Sequence, residues 1–249
     1  MKRLLLVLLS MFALVPAWAG DIDNVGNLND DEFQAFSADL GAALSYKSLT
    51  PTEPLGILGF DVAVDGSSTR VQAGAAWQIA TGDEVSSLPM ARIRVTKGLP
   101  FGFDVGGFYS TVPGSNIKLY GAELRYALVE GGVVTPAIGL RAAVTRLNGV
   151  DDLAFGTHSL DISISKGLGP VTPYFGVGQV WVDNEYTGPQ FQGTCGIAPT
   201  ISCGGASASF NDAKYFAGMR ISLLVLNLVV EGDRTGDVTT YSLKLGFGF

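Results

Sequence analysis

The sequence predicts an all-β fold, a transmembrane antiparallel up-and-down β-barrel of about ten strands (roughly eight to twelve are compatible) with a short N-terminal amphipathic helix. Three observations predict it. Apolar and polar residues alternate in segment after segment, most of them 9 to 13 residues long, whereas an ordinary strand has about 5 to 6 residues and a tilted membrane strand about 9 to 11. Charged residues make up only 16% of the 249-residue chain and hydrophobic ones 47%. Yet beyond the N-terminal stretch there is no run of about 20 apolar residues such as a membrane helix needs. Finally, the polar set of the alternation is rich in charge, which a dry core does not hold unless it is paired.

Taken in order, Lys2 and Arg3 precede an apolar run from Leu4 to Val15, and Ala17-Trp18-Ala19 follows. A charged n-region, an apolar h-region and an A-x-A site read as a signal peptide over residues 1–19, cleaved after Ala19; an uncleaved anchor helix is the alternative. Export places the chain in an oxidising compartment. Loss of Lys2 and Arg3 takes the 16 basic residues to 14 against 23 acidic, a net charge of −9, which disfavours nucleic acid as a partner.

Residues 20–54 form an N-terminal segment. Asp21 to Asn29 is polar. From Asp30 to Tyr46 the spacing is helical, with Phe33, Phe36, Ser37, Leu40, Gly41 and Leu44 on one face. Asn29 is a candidate N-cap, with Glu32 as its reciprocal partner. Pro51 and Pro54 stop any helix. The apolar stripe can pack under the short-turn rim of the barrel, plug its lumen, or belong to a free linker helix.

Residues 55–249 form the barrel. The period changes to two at Leu58, Phe60, Val62 and Val64. Further candidate strands are Pro89–Lys97, Phe101–Ser110, Ile117–Leu128, Val133–Thr145, Thr157–Lys166, Val171–Val182, Phe210–Ser222, Leu226–Gly232 and Val238–Phe249. Short connections alternate with mostly longer ones, as in membrane barrels. An even strand number puts both mature termini on the short-turn side. Val134-Thr135-Pro136-Ala137-Ile138-Gly139-Leu140 and Val171-Thr172-Pro173-Tyr174-Phe175-Gly176-Val177 read as two strands built to one rule, with Pro tolerated at a strand start.

The apolar set, including Tyr120, Leu124, Tyr126, Leu140 and Val144, faces outward. Phe101, Tyr109, Tyr120, Trp181, Tyr215, Tyr241 and Phe249 near strand ends suit interfacial girdles. The inward set holds Asp61, Arg92, Arg94, Asp104, Glu123, Arg125, Arg141, Asp161, Arg220, Glu231 and Lys244. The expected pairing sets Arg92, Arg94, Arg125 and Arg141 against Glu123, Asp104 and Asp161, as a structural ion-pair network or a solute path. About ten strands leave a narrow lumen, since about eight leave one that side chains just fill.

The connections hold Asp83, Glu84, Asp151, Asp152, Asp183, Glu185, Asp233 and Asp237, an acidic rim that could bridge lipopolysaccharide through divalent cations. Cys195 and Cys203, in an exported chain, are read as a disulfide. No metal site or cofactor is expected. The sole histidine, His158, adjoins Ser159, but neighbours on a strand face opposite ways, so a Ser-His mechanism does not assemble there and no enzyme is expected.

Tyr241, Leu243, Leu245, Phe247 and Phe249 alternate with Ser242, Lys244, Gly246 and Gly248. This stretch resembles the C-terminal strand by which the barrel-assembly machinery recognises Gram-negative outer-membrane β-barrels. The stretches ALSYKSLTPTEPLGILGFD and KGLPFGFDVGGFYS look like those of uncharacterised exported barrel proteins. The resemblance implies an outer-membrane location, partners among outer-membrane lipid, lipopolysaccharide and the assembly machinery, and a small solute if the barrel conducts. It implies a narrow channel or a structural or surface barrel with a charged lumen. The alternatives are a hydrophobic-ligand transporter gated by the N-terminal helix and a barrel enzyme. N-terminal sequencing of the membrane-inserted protein is expected to begin at Gly20; a chain still starting with Met1 would refute the signal-peptide reading.

Overall fold

The computed structural model describes residues 22, 24–111, 117–150, 152–188, 191 and 205–249. Ten strands form one closed antiparallel barrel: β1 (Phe60–Arg70), β2 (Ser87–Gly98), β3 (Phe103–Thr111), β4 (Lys118–Val129), β5 (Ala137–Asn148), β6 (Leu153–Ser165), β7 (Val171–Tyr186), β8 (Ala206–Leu223), β9 (Leu226–Thr235) and β10 (Val238–Gly248). Each strand pairs with its neighbours in sequence, and β10 closes on β1 from Asp61 opposite Gly248 to Thr69 opposite Thr240. Reciprocal backbone bonds between Phe60 and Phe249, of 2.9 and 3.1 Å, latch the seam at the short-turn end, and their rings meet edge-on at 4.8 Å.

The strands are inverted relative to a soluble sheet. In β1, Asp61, Asp65, Ser67 and Thr69 are buried inside while Val62 and Val64 are exposed outside. Ile93, Val95, Val105, Leu124, Leu160, Ile162 and Phe247 continue the exposed apolar band around the barrel. Closure gives each strand two paired neighbours across the exposed apolar band, so its backbone groups are satisfied there without water, as hydrocarbon requires.

Several strand boundaries differ from the expectation, and one connection holds an unexpected helix. β5 begins at Ala137, not Val133; Val133 and Val134 are exposed in the turn. Pro136 therefore precedes its strand while Pro173 lies inside β7, so the two similar stretches are not built alike. β7 and β8 run on to 16 and 18 residues, extending the ladder at the long-loop end. The β1–β2 connection contains a helix, α2 (Gly74–Thr81), ended by Gly82 in the left-handed region at φ 80°.

The N-terminal helix α1 spans Asp30–Leu44. Asn29 Oδ1 accepts from the Glu32 N–H and Glu32 Oε2 accepts from the Asn29 N–H, both at 2.9 Å, completing the capping box. Its location corrects the expectation of a helix beneath the short-turn rim. It lies within the long-loop half of the lumen, packed against α2, β1, β6, β7, β8 and β10. The cause is hydrophobic matching. Phe33, Phe36, Leu40 and Leu44 find Trp77, Leu119, Leu147, Val180 and Val182 there, while the short-turn half of the lumen is charged. Residues 45–55 then run back through the lumen to β1. The described start of the chain is thus at the long-loop end, where the Asn24 N–H donates to the Ala80 carbonyl at 3.1 Å, and not on the short-turn side.

Gly41 is where helix and wall come closest: a Cβ there would sit 2.6 Å from Val182 Cγ2. Gly41→Leu should push α1 off the wall. Limited proteolysis of the folded barrel is expected to cleave residues 30–55 faster in this variant; unchanged protection would show that the helix is not seated as described.

Candidate functional site

The site is the contact between the inner wall and the threaded segment from Ala42 to Leu55. Lys47 is fully buried, and its ammonium donates to the Ala42 carbonyl at 2.6 Å, Asp233 Oδ1 at 2.9 Å and Thr240 Oγ1 at 3.2 Å. All three of its donors are used. Arg92 Nη2 donates to the Ala43 carbonyl at 3.0 Å. Two cations thus meet the last turn of α1, where the helix dipole is negative and carbonyls lack helical partners.

Below the helix, the Tyr46 ring stands in mid-lumen. The Arg94 guanidinium lies 4.7 Å from its centroid, the Arg141 guanidinium 5.9 Å and the Phe108 ring 5.2 Å. The Tyr46 carbonyl accepts from Lys214 Nζ at 2.7 Å. Leu49 adopts a left-handed φ of 48°, uncommon for a residue with a branched side chain. It is held there by its N–H, which donates to Glu231 Oε2 at 2.8 Å, and by packing with Tyr174, Phe216 and Val229. Farther down, Arg125 Nη1 donates to the Pro51 carbonyl at 3.1 Å, the Thr52 N–H to Ser165 Oγ at 3.0 Å and the Leu55 N–H to Asp104 Oδ1 at 3.0 Å.

The eleven inward charges named from the sequence occupy this wall. Asp61 meets Lys244 at 3.3 Å, and Asn227 Nδ2 donates to it at 2.8 Å. Arg125 and Asp104 pair at 2.8 Å. Arg141 bonds Asp161 and stands 4.0 Å from Glu123. Glu231 accepts from the Tyr174 hydroxyl at 2.6 Å. Arg220 meets Glu53 of the threaded segment at 3.5 Å near the short-turn mouth. The expected pairing needs one correction. Arg92 and Arg94 turn to Asp65, at 3.4 and 3.2 Å, because β1 is their hydrogen-bonded neighbour and places Asp65 opposite Arg92.

Asp233 is a second correction. It is not on an exposed rim but buried on the inner face of β9, paired with Lys47. Asp83, Glu84, Asp152, Asp183, Glu185 and Asp237 are exposed, while Asp151, Cys195 and Cys203 lie outside the described residues. His158 points outward, with Nδ1 3.8 Å from Asp183 Oδ2, and Ser159 points inward. Sequence reasoning missed Lys47, Asp65, Lys214 and Asp233 as members of the network. Asp65 and Lys214 were legible from strand parity. Lys47 was not, because the segment that carries it has no strand periodicity.

The long-loop half is apolar instead of charged. There Asp39 ties α1 to the β1–β2 connection, accepting from the Ala73 N–H at 2.9 Å, the Gln72 N–H at 3.1 Å and Trp77 Nε1 at 3.0 Å. Burial pushes its carboxyl above the ordinary aspartate range, against the pull of those three donors. Among the described residues, no group of three or more His, Cys, Asp or Glu could hold a metal ion, and no helix is long and apolar enough to cross a membrane.

An exposed apolar band, a polar interior, an even strand number and short turns at one end are the features by which strands cross a bilayer. The architecture is that of an outer-membrane β-barrel. Among solved structures the chain is similar to Ail, the attachment invasion locus protein of Yersinia pestis, at 11% identity over 79% of this chain and 99% of that one, with a TM-score of 0.31. It is similar to the KdgM porin in complex with disordered oligogalacturonate at 8% identity over 77% and 99%, with a TM-score of 0.36. For the Acinetobacter baumannii outer membrane protein Omp33 the values are 9%, 78%, 100% and 0.33. No family model and no curated protein matches the chain.

Removing Lys47 strands a buried carboxylate. Lys47→Ala is expected to cost about 3 to 5 kcal/mol, read as the urea dependence of the folded-barrel gel mobility. The double variant K47M/D233L should recover most of that loss. A single variant as stable as the parent would show that the pair contributes nothing.

Proposed function

We propose that this chain is an outer-membrane barrel of a Gram-negative bacterium, held shut by its own residues 30–55 and acting as a surface barrel at its long-loop end. The observation that carries this reading is the filled lumen. Lys47, Tyr46 and Leu49 bond or pack to opposite walls, and Asp61, Asp104, Arg125, Arg141, Asp161 and Lys244 are taken up by one another and by the threaded backbone. A charged lumen of this kind supports closure; an open porin would leave such side chains to water.

Several partners follow from the same reading. β10, with Tyr241, Leu243, Leu245 and Phe247 outward and Phe249 at the rim, is the segment the barrel-assembly machinery would engage. Outer-membrane lipid covers the apolar band. The exposed carboxylates at the long-loop end suit cation-bridged lipopolysaccharide. Cleavage near Ala19 and a Cys195–Cys203 disulfide belong to the same proposal. So does the absence of catalysis, supported by the outward side chain of His158 and the inward one of Ser159.

In planar bilayers the full protein is expected to give no conductance steps. Replacing Tyr46 and Lys47 together by Ala should produce brief openings, because the threaded segment then loses its central ring and its ammonium. Sustained conductance from the unaltered protein would overturn the closed-barrel reading in favour of a narrow channel.

A further inference from the structure

At the long-loop end an apolar pocket of about 120 Å³ lies between α1, α2 and the β2–β5 wall. Its lining includes Leu40, Leu44, Trp77, Met90, Leu119 and Leu147, and no charged side chain. A cavity of roughly this size with apolar walls stays dry and takes a benzene-sized apolar guest.

Among the described residues the wall beside this pocket is incomplete. β2 is paired with β1 along its whole length, from Ser87 to Lys97. Its ladder with β3 stops at Ile93 opposite Tyr109, although β3 continues to Thr111. Above that rung the burial alternation of β2 disappears: Ser87, Leu88, Pro89 and Met90 are all half-buried. The Ala91 carbonyl, which faces β3, accepts from the Ser110 hydroxyl at 2.6 Å. Residues of one parity turn their backbone groups to the same side of a strand. Pro89 therefore removes the next donor from the side facing β3, where a proline is tolerated only at an edge. The seam opens beside Tyr109 and Tyr120, two outward aromatics paired across β3 and β4, at the level where such rings meet lipid headgroups.

We infer that this pocket binds an alkyl chain and that the chain enters from the bilayer through the open β2–β3 seam. The walls offer methyl, methylene and ring surface. A polar guest would lose its water and find few partners, leaving hydrogen bonds unmade. An alkyl tail leaves no hydrogen bond unmade there; one arriving from water gains buried area, and one arriving from the bilayer exchanges one apolar surround for another. The tail can belong to a membrane lipid or to a free alkyl acid. The inference rests on the reading of a plugged barrel in a bilayer, but its test measures contact with Trp77 and not ion flow, so the two can fail separately.

Trp77 reports on the pocket. Trp181 faces lipid, and Trp18 lies in the predicted signal peptide, so W181F leaves Trp77 as the tryptophan of the mature barrel. Bromine on an alkyl chain quenches tryptophan only on contact. One arm adds 11-bromoundecanoate to W181F in vesicles of unlabelled phosphatidylcholine; the other uses vesicles of phosphatidylcholine brominated along the acyl chains. A saturable loss of Trp77 emission is expected in at least one arm, and the arm identifies the source. Ala43→Phe, which fills the pocket, should abolish the loss while the barrel keeps its folded gel mobility. Ala91→Cys with Thr111→Cys, the second opposed pair beyond Ile93 and Tyr109 if the ladder continued, should suppress the loss when oxidised and restore it on reduction. No quenching in either arm, or quenching untouched by A43F in a folded barrel, overturns the pocket. Quenching that survives the cross-link overturns the seam as its route.

Discussion

The structure depends on the pairing of charge inside the barrel. An arginine or aspartate on an inner wall cannot be left alone in a filled lumen, because the desolvation of an unpaired ion costs several kcal/mol. Neighbouring strands supply part of the compensation, as Asp65 does for Arg92 and Arg94. A further part comes from the segment before β1. Lys47 serves Asp233, Glu53 serves Arg220, and the Tyr46, Pro51 and Ala43 carbonyls accept from Lys214, Arg125 and Arg92. The wall and its plug are therefore one electrostatic unit. Several groups of each find their partners only in the other, which fixes the path of a segment that has little regular structure of its own.

Much of the barrel was legible because its grammar is local. Period-two alternation located ten strands, and parity alone sorted Glu123 and Arg125 inward and Leu124 and Tyr126 outward. The capping box at Asn29 and Glu32 likewise needs only a spacing of three. What failed to show was relational. The choice of Asp65 over Glu123 for Arg92 and Arg94 depends on strand register, and the burial of Asp233 depends on an ammonium 186 residues away in sequence. α1 was expected beneath the rim and lies in the lumen; its stripe says that it must be covered but not by what. α2 was hidden in a connection whose Gly, Ala and Thr carry no clear helical pattern.

The lumen has two storeys with different solvents. The short-turn storey is polar and ordered by hydrogen bonds with fixed partners. The long-loop storey is a conventional apolar core built from two helices and the upper strands, packed by contacts that are individually weak and less directional. The same chain passes from one to the other between Leu44 and Tyr46. Lys47 and Arg92 mark that boundary by holding the final carbonyls of α1, so the helix ends where the environment changes.

The position of the threaded segment constrains the order of events when this protein folds. Residues 30–55 precede β1, and the barrel becomes a ring only when β10 meets β1. A helix with its side chains is about 10 to 12 Å across, and the passage below it is narrowed by the inward side chains of Arg94, Arg125 and Arg141. Once the ring is shut, α1 cannot be drawn through it from the short-turn side. The helix must already stand among the strands when Phe249 reaches Phe60, so the barrel is built around its contents as a cask is raised around a core. The slowest contacts are then those joining the two ends of the chain, which topology makes the costliest to bring together.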